Sequence, residues 1–350
     1  MIQVENLVKK YGNHLAVDHL SFTIEKGKIY GFLGPNGAGK STTMNIMTGY
    51  LGATEGTVKI NGHDILKEPE LAKKSIGYLP ELPPLYTEMT VLEYLQFAAE
   101  LKKIPKDQRE GQIDEVVRMA KLEEVKDRLI QNLSKGYRQR VGLAQAILGF
   151  PEIIILDEPT VGLDPKQIIE IRELIRNLAK QHTVILSSHI LAEVREVCDY
   201  ILIIANGKLV ASDTPENLEE NIGSRGYIEV QSHASENEMR QVLNAVPQIQ
   251  SVECSVEDQV TTAKIKARGN EDVREQIFKA FAERQIPLLA LMMMKNTLED
   301  VFLELTQGND VQAIGKTKKM GDNETKERPE LDERVMEQIE SEVSEDGSDL

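Results

Sequence analysis

Short apolar blocks, separated by glycine-rich or polar turns, alternate along the first two-thirds of the chain with longer segments of helical spacing. Residues 2 to 9 and 17 to 24 read as strands, the second through Val17, Leu20, Phe22 and Ile24. Ile29, Tyr30, Phe32 and Leu33 make another short strand, which enters a glycine-rich turn and then the helix-compatible run MNIMTG. GTVKINGHDI predicts a hairpin about Asn61-Gly62, a pair that suits a type I′ turn. SIGYLPE gives a further strand, and PELPPLYTE a proline-stiffened loop. Thr90 followed by Glu93 is a capping-box pattern, predicting a helix to about Lys103. Ile113, Val116, Val117 and Ala120 fall at helical spacing on a second helix. The stretch from about 82 to 133 therefore reads as a mostly helical insertion in an α/β domain.

Residues 133 to 149, LSKGYRQRVGLAQAILG, begin as a polar turn and continue as a helix. Four successive apolar residues, Ile153 to Leu156, have the pattern of a central parallel strand buried on both faces. That strand ends in Asp157 and Glu158, at the carboxyl end where open α/β sheets place their ligands. Asp164-Pro165 supplies an N-cap and a first-turn proline for a helix to about Lys180. TVILSS is a buried strand with His189 at its end, and DYILIIANGKLVAS closes as a hairpin about Asn206-Gly207.

From about Gly226 to Leu305 a different unit begins. YIEVQ, SVECSVE, TTAKIKA and LLALMMM read as strands, with helices at about 236–245 and 271–284. The order β-α-β-β-α-β predicts a small ferredoxin-like α+β domain. Its Met292–Met294 run is read as core or packing surface. Beyond Gln307 apolar content falls and acids outnumber bases, so residues 307–350 are expected to be a disordered acidic tail. Leu331, Val335, Met336, Ile339 and Val343 could still form a helix on a partner. The predicted division is thus 1–220, 226–306 and 307–350.

Composition narrows this picture. At 350 residues and 41% hydrophobic content, the chain can bury the cores of two domains. A net charge of −16 argues against a nucleic-acid-coating surface, so no nucleic-acid partner is expected. Two cysteines, Cys198 and Cys254, far apart and without CxxC spacing, imply a reducing compartment. Cys198 closes an apolar helical stripe and reads as a buried thiol. No run approaches ~18 apolar residues, and the chain opens directly into a strand pattern. Neither a membrane span nor a signal peptide is expected, and a membrane role would require a partner.

The candidate chemistry centres on Lys28 to Thr42, KIYGFLGPNGAGKST. Gly34, Gly39, Lys40 and Ser41 satisfy G-x-x-x-x-G-K-[ST], between a strand and a helix. Glycines allow backbone N–H groups to curl round phosphate oxygens, and the following helix turns its positive end to the same anion. Lys40 can reach the β- and γ-phosphates, and the Ser41 hydroxyl can ligate Mg²⁺. Tyr11 precedes the loop, placed by sequence in the turn of KKYGNH; it suits stacking on a base or a role in the turn's packing.

Together these motifs resemble the nucleotide-binding subunit of ATP-binding cassette (ABC) transporters, over residues 1 to about 215. GPNGAGKST matches the phosphate loop, ILDEPT the acidic strand, VGLDP the dimer-facing loop, SSH the histidine switch and LSKGYRQR the signature turn. Lys135, Tyr137 and the extra carboxy-terminal unit are similar to bacterial exporter subunits, including drug-, sodium- and gliding-motility-type cassettes. The resemblance implies a P-loop NTPase fold and an ATPase that uses ATP and Mg²⁺. It would power transport, in the export direction, through a separate integral-membrane permease. Nucleotide contacts would come from Tyr11, Gly34, Pro35, Asn36, Gly37, Ala38, Gly39, Lys40, Ser41 and Thr42. Ser41 would hold the Mg²⁺ and Asp157 would hold it through water, Glu158 would be the general base and His189 would contact the γ-phosphate. Ser134 and Gly136 would reach ATP bound mainly by a second subunit, so that a homodimer, or a heterodimer with a related cassette, sandwiches two ATP molecules. The implied location is cytoplasmic, peripheral at the inner face of the cell membrane. A soluble or scaffold-type cassette ATPase is the alternative. One position departs from the family pattern: Glu81 stands where a glutamine is usual, and its carboxylate is a further candidate metal ligand.

Overall fold

The computed structural model describes residues 1–221, 226–268, 272–294 and 298–307. The predicted tail, apart from its first residue, lies outside the described residues. β1 (Ile2–Tyr11) and β2 (His14–Ile24) form a hairpin, and β3 (Ile29–Leu33) leads through the glycine-rich loop into α1 (Lys40–Met47). β4 (Glu55–Ile60) and β5 (His63–Asp64) pair about Asn61 and Gly62, whose φ values of 50° and 88° are the left-handed pair that the sequence predicted. After α2 (Pro69–Lys74) and β6 (Ile76–Leu79) come α3 (Val91–Leu101) and α4 (Lys106–Met119), which with two short 3₁₀ turns make the helical insertion. Thr90 and Glu93 form the expected reciprocal capping box on α3. The insertion packs inward through Val91, Leu95, Ile113 and Val116.

α5 (Lys135–Ile147), β7 (Ile153–Asp157), α6 (Pro165–Leu178), β8 (Thr183–Ser188), α7 (Leu191–Val197), β9 (Tyr200–Ala205), β10 (Lys208–Asp213) and α8 (Pro215–Asn221) follow. Six strands form the central sheet in the order β10-β9-β3-β8-β7-β6, parallel except for the edge hairpin β9-β10. Every residue of β3, β7 and β8 is buried, which explains their unbroken apolar runs. One core cluster joins this sheet to the helical insertion and α6; a second joins it to the antiparallel sheet β2-β1-β4-β5. Cys198 is buried against this core, and burial pushes its thiol pKa well up. Its Sγ would lie 2.8 Å from a Cβ at Gly31, so α7 closes tightly onto β3.

β11 (Tyr227–Ser232), α9 (Glu236–Leu243), β12 (Ile249–Glu257), β13 (Val260–Ala267), α10 (Arg274–Glu283) and β14 (Ala290–Met294) make a third, fully antiparallel sheet in the order β12-β13-β11-β14. Counted within the unit this is 2-3-1-4, the split β-α-β arrangement expected from sequence. Its own core holds Ile228, Val230, Val242, Ile265, Ile277 and Phe281.

Two placements differ from the sequence reading. Tyr11 is not in a turn: it ends β1 and pairs with His14. A further helix, α11 (Leu298–Gln307), follows β14, and its fully buried Leu298 belongs to the core of the six-stranded sheet rather than to the small sheet. Met292 and Met293 are more than two-fifths exposed on the edge strand, a surface rather than a core position.

Candidate functional site

Sheet register gathers the candidate residues. Leu33, the last residue of β3, pairs with Ser188 of β8, and Ser187 pairs with Asp157 of β7. The phosphate loop, the acidic strand end and the histidine loop therefore leave three neighbouring strands at one level, at their carboxyl ends.

The loop is built on glycines for steric reasons. A Cβ at Gly34 would lie 2.3 Å from the Ile204 carbonyl oxygen, and one at Gly39, where φ is 101°, would lie 2.5 Å from that of Ala16. The Gly207 N–H donates to Ala38 O at 3.0 Å, and the Asp18 N–H donates to Gly207 O at 2.9 Å. The Asn206-Gly207 hairpin thus braces the loop from outside. α1 starts at Lys40 with no acidic residue in its first turn, leaving its amides and dipole available to an anion.

Lys40 is only 5% exposed. Its Nζ donates to Gly34 O at 2.8 Å and Pro35 O at 3.2 Å, and lies 3.7 Å from Glu158 Oε1. Burial lowers its pKa, while the Glu158 and Asp157 carboxylates act in the opposite direction. Loop carbonyls hold a cation that a phosphate oxygen would bind more strongly through a charge-assisted bond.

Asp157 is buried, and its Oδ1 accepts from Ser187 Oγ at 2.5 Å and from Ser41 Oγ at 3.2 Å. Glu158 is buried too, with φ at 48°. Its N–H donates to Ser187 Oγ at 2.9 Å, and its Oε2 lies 3.0 Å from His189 Nδ1. The two carboxylate oxygens of Glu158 are thus shared between an ammonium and an imidazole.

A cleft of about 410 Å³ opens above these groups. Tyr11, Asn36, Gly37, Gly39, Lys40, Ser41, Thr42, Glu81, Glu158 and His189 line it, together with His14, Ala16 and Val161. Gly34 and Ala38 are buried within the loop, and Pro35 is exposed. Asp157 reaches the cleft through Ser41. Ser134 and Gly136 do not line it. Ser134 caps α5, its Oγ accepting from the Tyr137 N–H at 3.4 Å. Gly136 lies beneath the Gln167 carboxamide, which a Cβ there would meet at 2.5 Å.

The hard oxygens of Ser41, Asp157 and Glu81 suit Mg²⁺, which binds through few carboxylates, keeping waters and taking substrate phosphates as further ligands. Among the described residues, no cluster of three or more His, Cys, Asp or Glu side chains could hold a metal by itself. Sequence reasoning missed Ser187, which orients both acids. It appeared only as one letter of SSH, and its partners lie thirty residues away in sequence.

Comparison with known proteins matches residues 17–161 to the family described as ABC transporter. The bacitracin transport ATP-binding protein BcrA of Bacillus licheniformis is 35% identical over 313 residues, covering 89% of this chain and 99% of that protein. The linearmycin resistance ATP-binding protein LnrL of Bacillus subtilis (strain 168) is 32% identical over 307 residues, covering 87% and 98%. The likeness therefore extends well past residue 215, through the third sheet. Among solved structures, the ATP binding subunit of an ABC transporter superposes with a TM-score of 0.59 at 31% identity, covering 70% of this chain and 99% of that one. A dimeric ATP-binding cassette in a post-hydrolysis state, bound to ADP and Pi, superposes with a TM-score of 0.56 at 28% identity, covering 61% and 98%.

Proposed function

The chain belongs to the ABC transporter family as an ATP-binding cassette protein with ATPase activity, and we propose that it powers export through a separate integral-membrane permease. The observation that carries the catalytic part is Glu158: a buried carboxylate between Lys40 and His189, beside a phosphate loop. The β- and γ-phosphates of ATP lie on the loop amides and the start of α1, with Lys40 exchanging loop carbonyls for phosphate oxygens. Water attacks the γ-phosphorus, the bond to the β–γ bridging oxygen breaks, and Glu158 takes the water proton, giving ADP and inorganic phosphate. His189 contacts the γ-phosphate and orients Glu158. Tyr11 stacks on the adenine. Ser41 and Glu81, with Asp157 through water, would hold Mg²⁺, which would supply charge neutralisation at the phosphates.

Ser134 and Gly136 lie outside the cleft, at the start of α5, and the positive end of a helix suits an anion. We assign them to the ATP of a second subunit, so that two cassettes sandwich two nucleotides head to tail. No described helix is long and apolar enough to cross a membrane, so the membrane path is assigned to another chain. A bacitracin transport protein and a linearmycin resistance protein among the relatives support the export reading, and we assign this subunit to the cytoplasmic face of the membrane. The deciding experiment is Glu158→Gln: ATP binding retained with turnover nearly abolished supports the reading, and native turnover refutes it.

A further inference from the structure

Glu193 stands on α7, four residues past His189, and is only 6% exposed. Its Oε2 accepts a hydrogen bond from Thr160 Oγ1 at 2.5 Å and another from Ser188 Oγ at 3.2 Å. Thr160 lies two residues beyond Glu158, and Ser188 immediately precedes His189. One carboxylate oxygen therefore joins the two loops whose side chains meet at the Glu158–His189 contact.

A buried carboxylate is costly unless hydrogen-bonded, and an apolar side chain would serve simple packing better. The need arises at Glu158, whose φ of 48° is a left-handed conformation that its Cβ disfavours. Such a backbone persists only where its surroundings over-determine it. Upstream, Ser187 Oγ holds the Glu158 N–H. Downstream, the segment returns through Val161 N–H to Glu158 O at 3.2 Å, and Thr160 is anchored by Glu193. On the other loop, Ser188 Oγ also accepts the Ile190 N–H at 3.0 Å, fixing the turn that carries His189. Consecutive serines of β8 thus act by two routes: Ser187 contacts Asp157 and the Glu158 N–H directly, and Ser188 ties the His189 turn to Thr160 through Glu193.

We propose that Glu193 is a positioning residue for ATP hydrolysis, which ties Thr160 to Ser188 and so holds Glu158 and His189 at their working separation. This rests on reading Glu158 as the general base. Nucleotide binding should depend on it little, because among the described residues Glu193 forms no hydrogen bond or ion pair with the phosphate loop or Lys40.

The test is steady-state ATPase with calorimetric ATP affinity on Glu193→Ala, Glu193→Gln and Thr160→Val, beside Glu158→Gln as the floor. Glu193→Ala should lower kcat at least ~10-fold while ATP affinity stays within about threefold, since small misplacements of catalytic groups are costly to turnover. Glu193→Gln, which keeps one acceptor oxygen and an amide that can meet the Thr160 hydroxyl, should recover most of the loss. Thr160→Val should lower kcat as well, and the double variant with Glu193→Ala should be little worse than the poorer single variant. Native kcat in Glu193→Ala would overturn the proposal. So would an equal loss in the alanine and glutamine variants accompanied by weakened ATP binding, the signature of a packing role. If Glu193→Ala does not fold, Thr160→Val and Ser188→Ala decide by the same criteria. Native turnover in Glu158→Gln would instead refute the general-base reading, an outcome separate from failure of the Glu193 variants.

Discussion

The mostly parallel six-stranded sheet and the small antiparallel sheet handle their charges in opposite ways. In β3, β7 and β8 both faces are covered, and charge emerges only at the last residue of β7 or past the strand ends, where Asp157, Glu158 and Lys40 are nonetheless buried. In the small sheet one face packs on α9 and α10 through Ile228, Val230 and Ile265. The other carries Glu229 opposite Lys264, and Glu253 opposite Lys264 from the next strand, with the Lys264 Nζ 5.1 Å from the Tyr227 ring centroid. Lys264 and Glu253 are exposed and Glu229 is half-buried, so opposite charges at facing positions cost little there. Desolvated charge on a strained backbone marks the chemistry here, and charge number alone does not.

Breaking the buried set should therefore cost far more than breaking the exposed one. The largest effect is expected for Glu158→Gln: a fall in turnover of about 100-fold or more, with ATP affinity retained in a binding titration. Lys40→Ala should weaken ATP binding itself, by roughly 10- to 100-fold for the loss of charge-assisted phosphate bonds, read by calorimetry. Glu81 sharpens the comparison because it is exposed yet lines the cleft. Glu81→Ala should raise the Mg²⁺ concentration for half-maximal ATPase, and Glu81→Gln should restore a working site; three identical Mg²⁺ curves would return it to the ordinary surface. Lys264→Met on the small sheet should change stability by no more than about 0.5 kcal/mol and leave turnover unaltered; a large loss would mean that facing surface charges matter as the buried ones do.

Much of this was legible in the sequence because it is locally encoded. Asn61-Gly62 and Asn206-Gly207 announced their turns, and Thr90 and Asp164 announced their helix starts. The spacing of Gly34, Gly39 and Lys40 announced the phosphate loop. What was missed depends on distant partners. Nothing in LEDVFLEL says that Leu298 joins the core of a sheet that ended some ninety residues earlier. Nothing in SSH says which hydroxyl orients Asp157 and which engages Glu193. The departure of Tyr11 from its expected turn has the same origin, since cross-strand pairing with His14 extends β1 further than its apolar pattern.

We infer that each working site is shared between two subunits, with Lys40 from one and the Ser134 turn from the other. The most direct measurement is ATPase in mixtures of two individually inactive variants, Ser134→Arg and Lys40→Ala. Each mixed dimer would contain one doubly damaged site and one site with neither lesion. In a two-fold dimer with independent sites, equal mixing should return about a quarter of native activity. Recovery on mixing supports the shared site. No recovery where mixed dimers are demonstrated, or normal hydrolysis by Ser134→Arg alone, would contradict it.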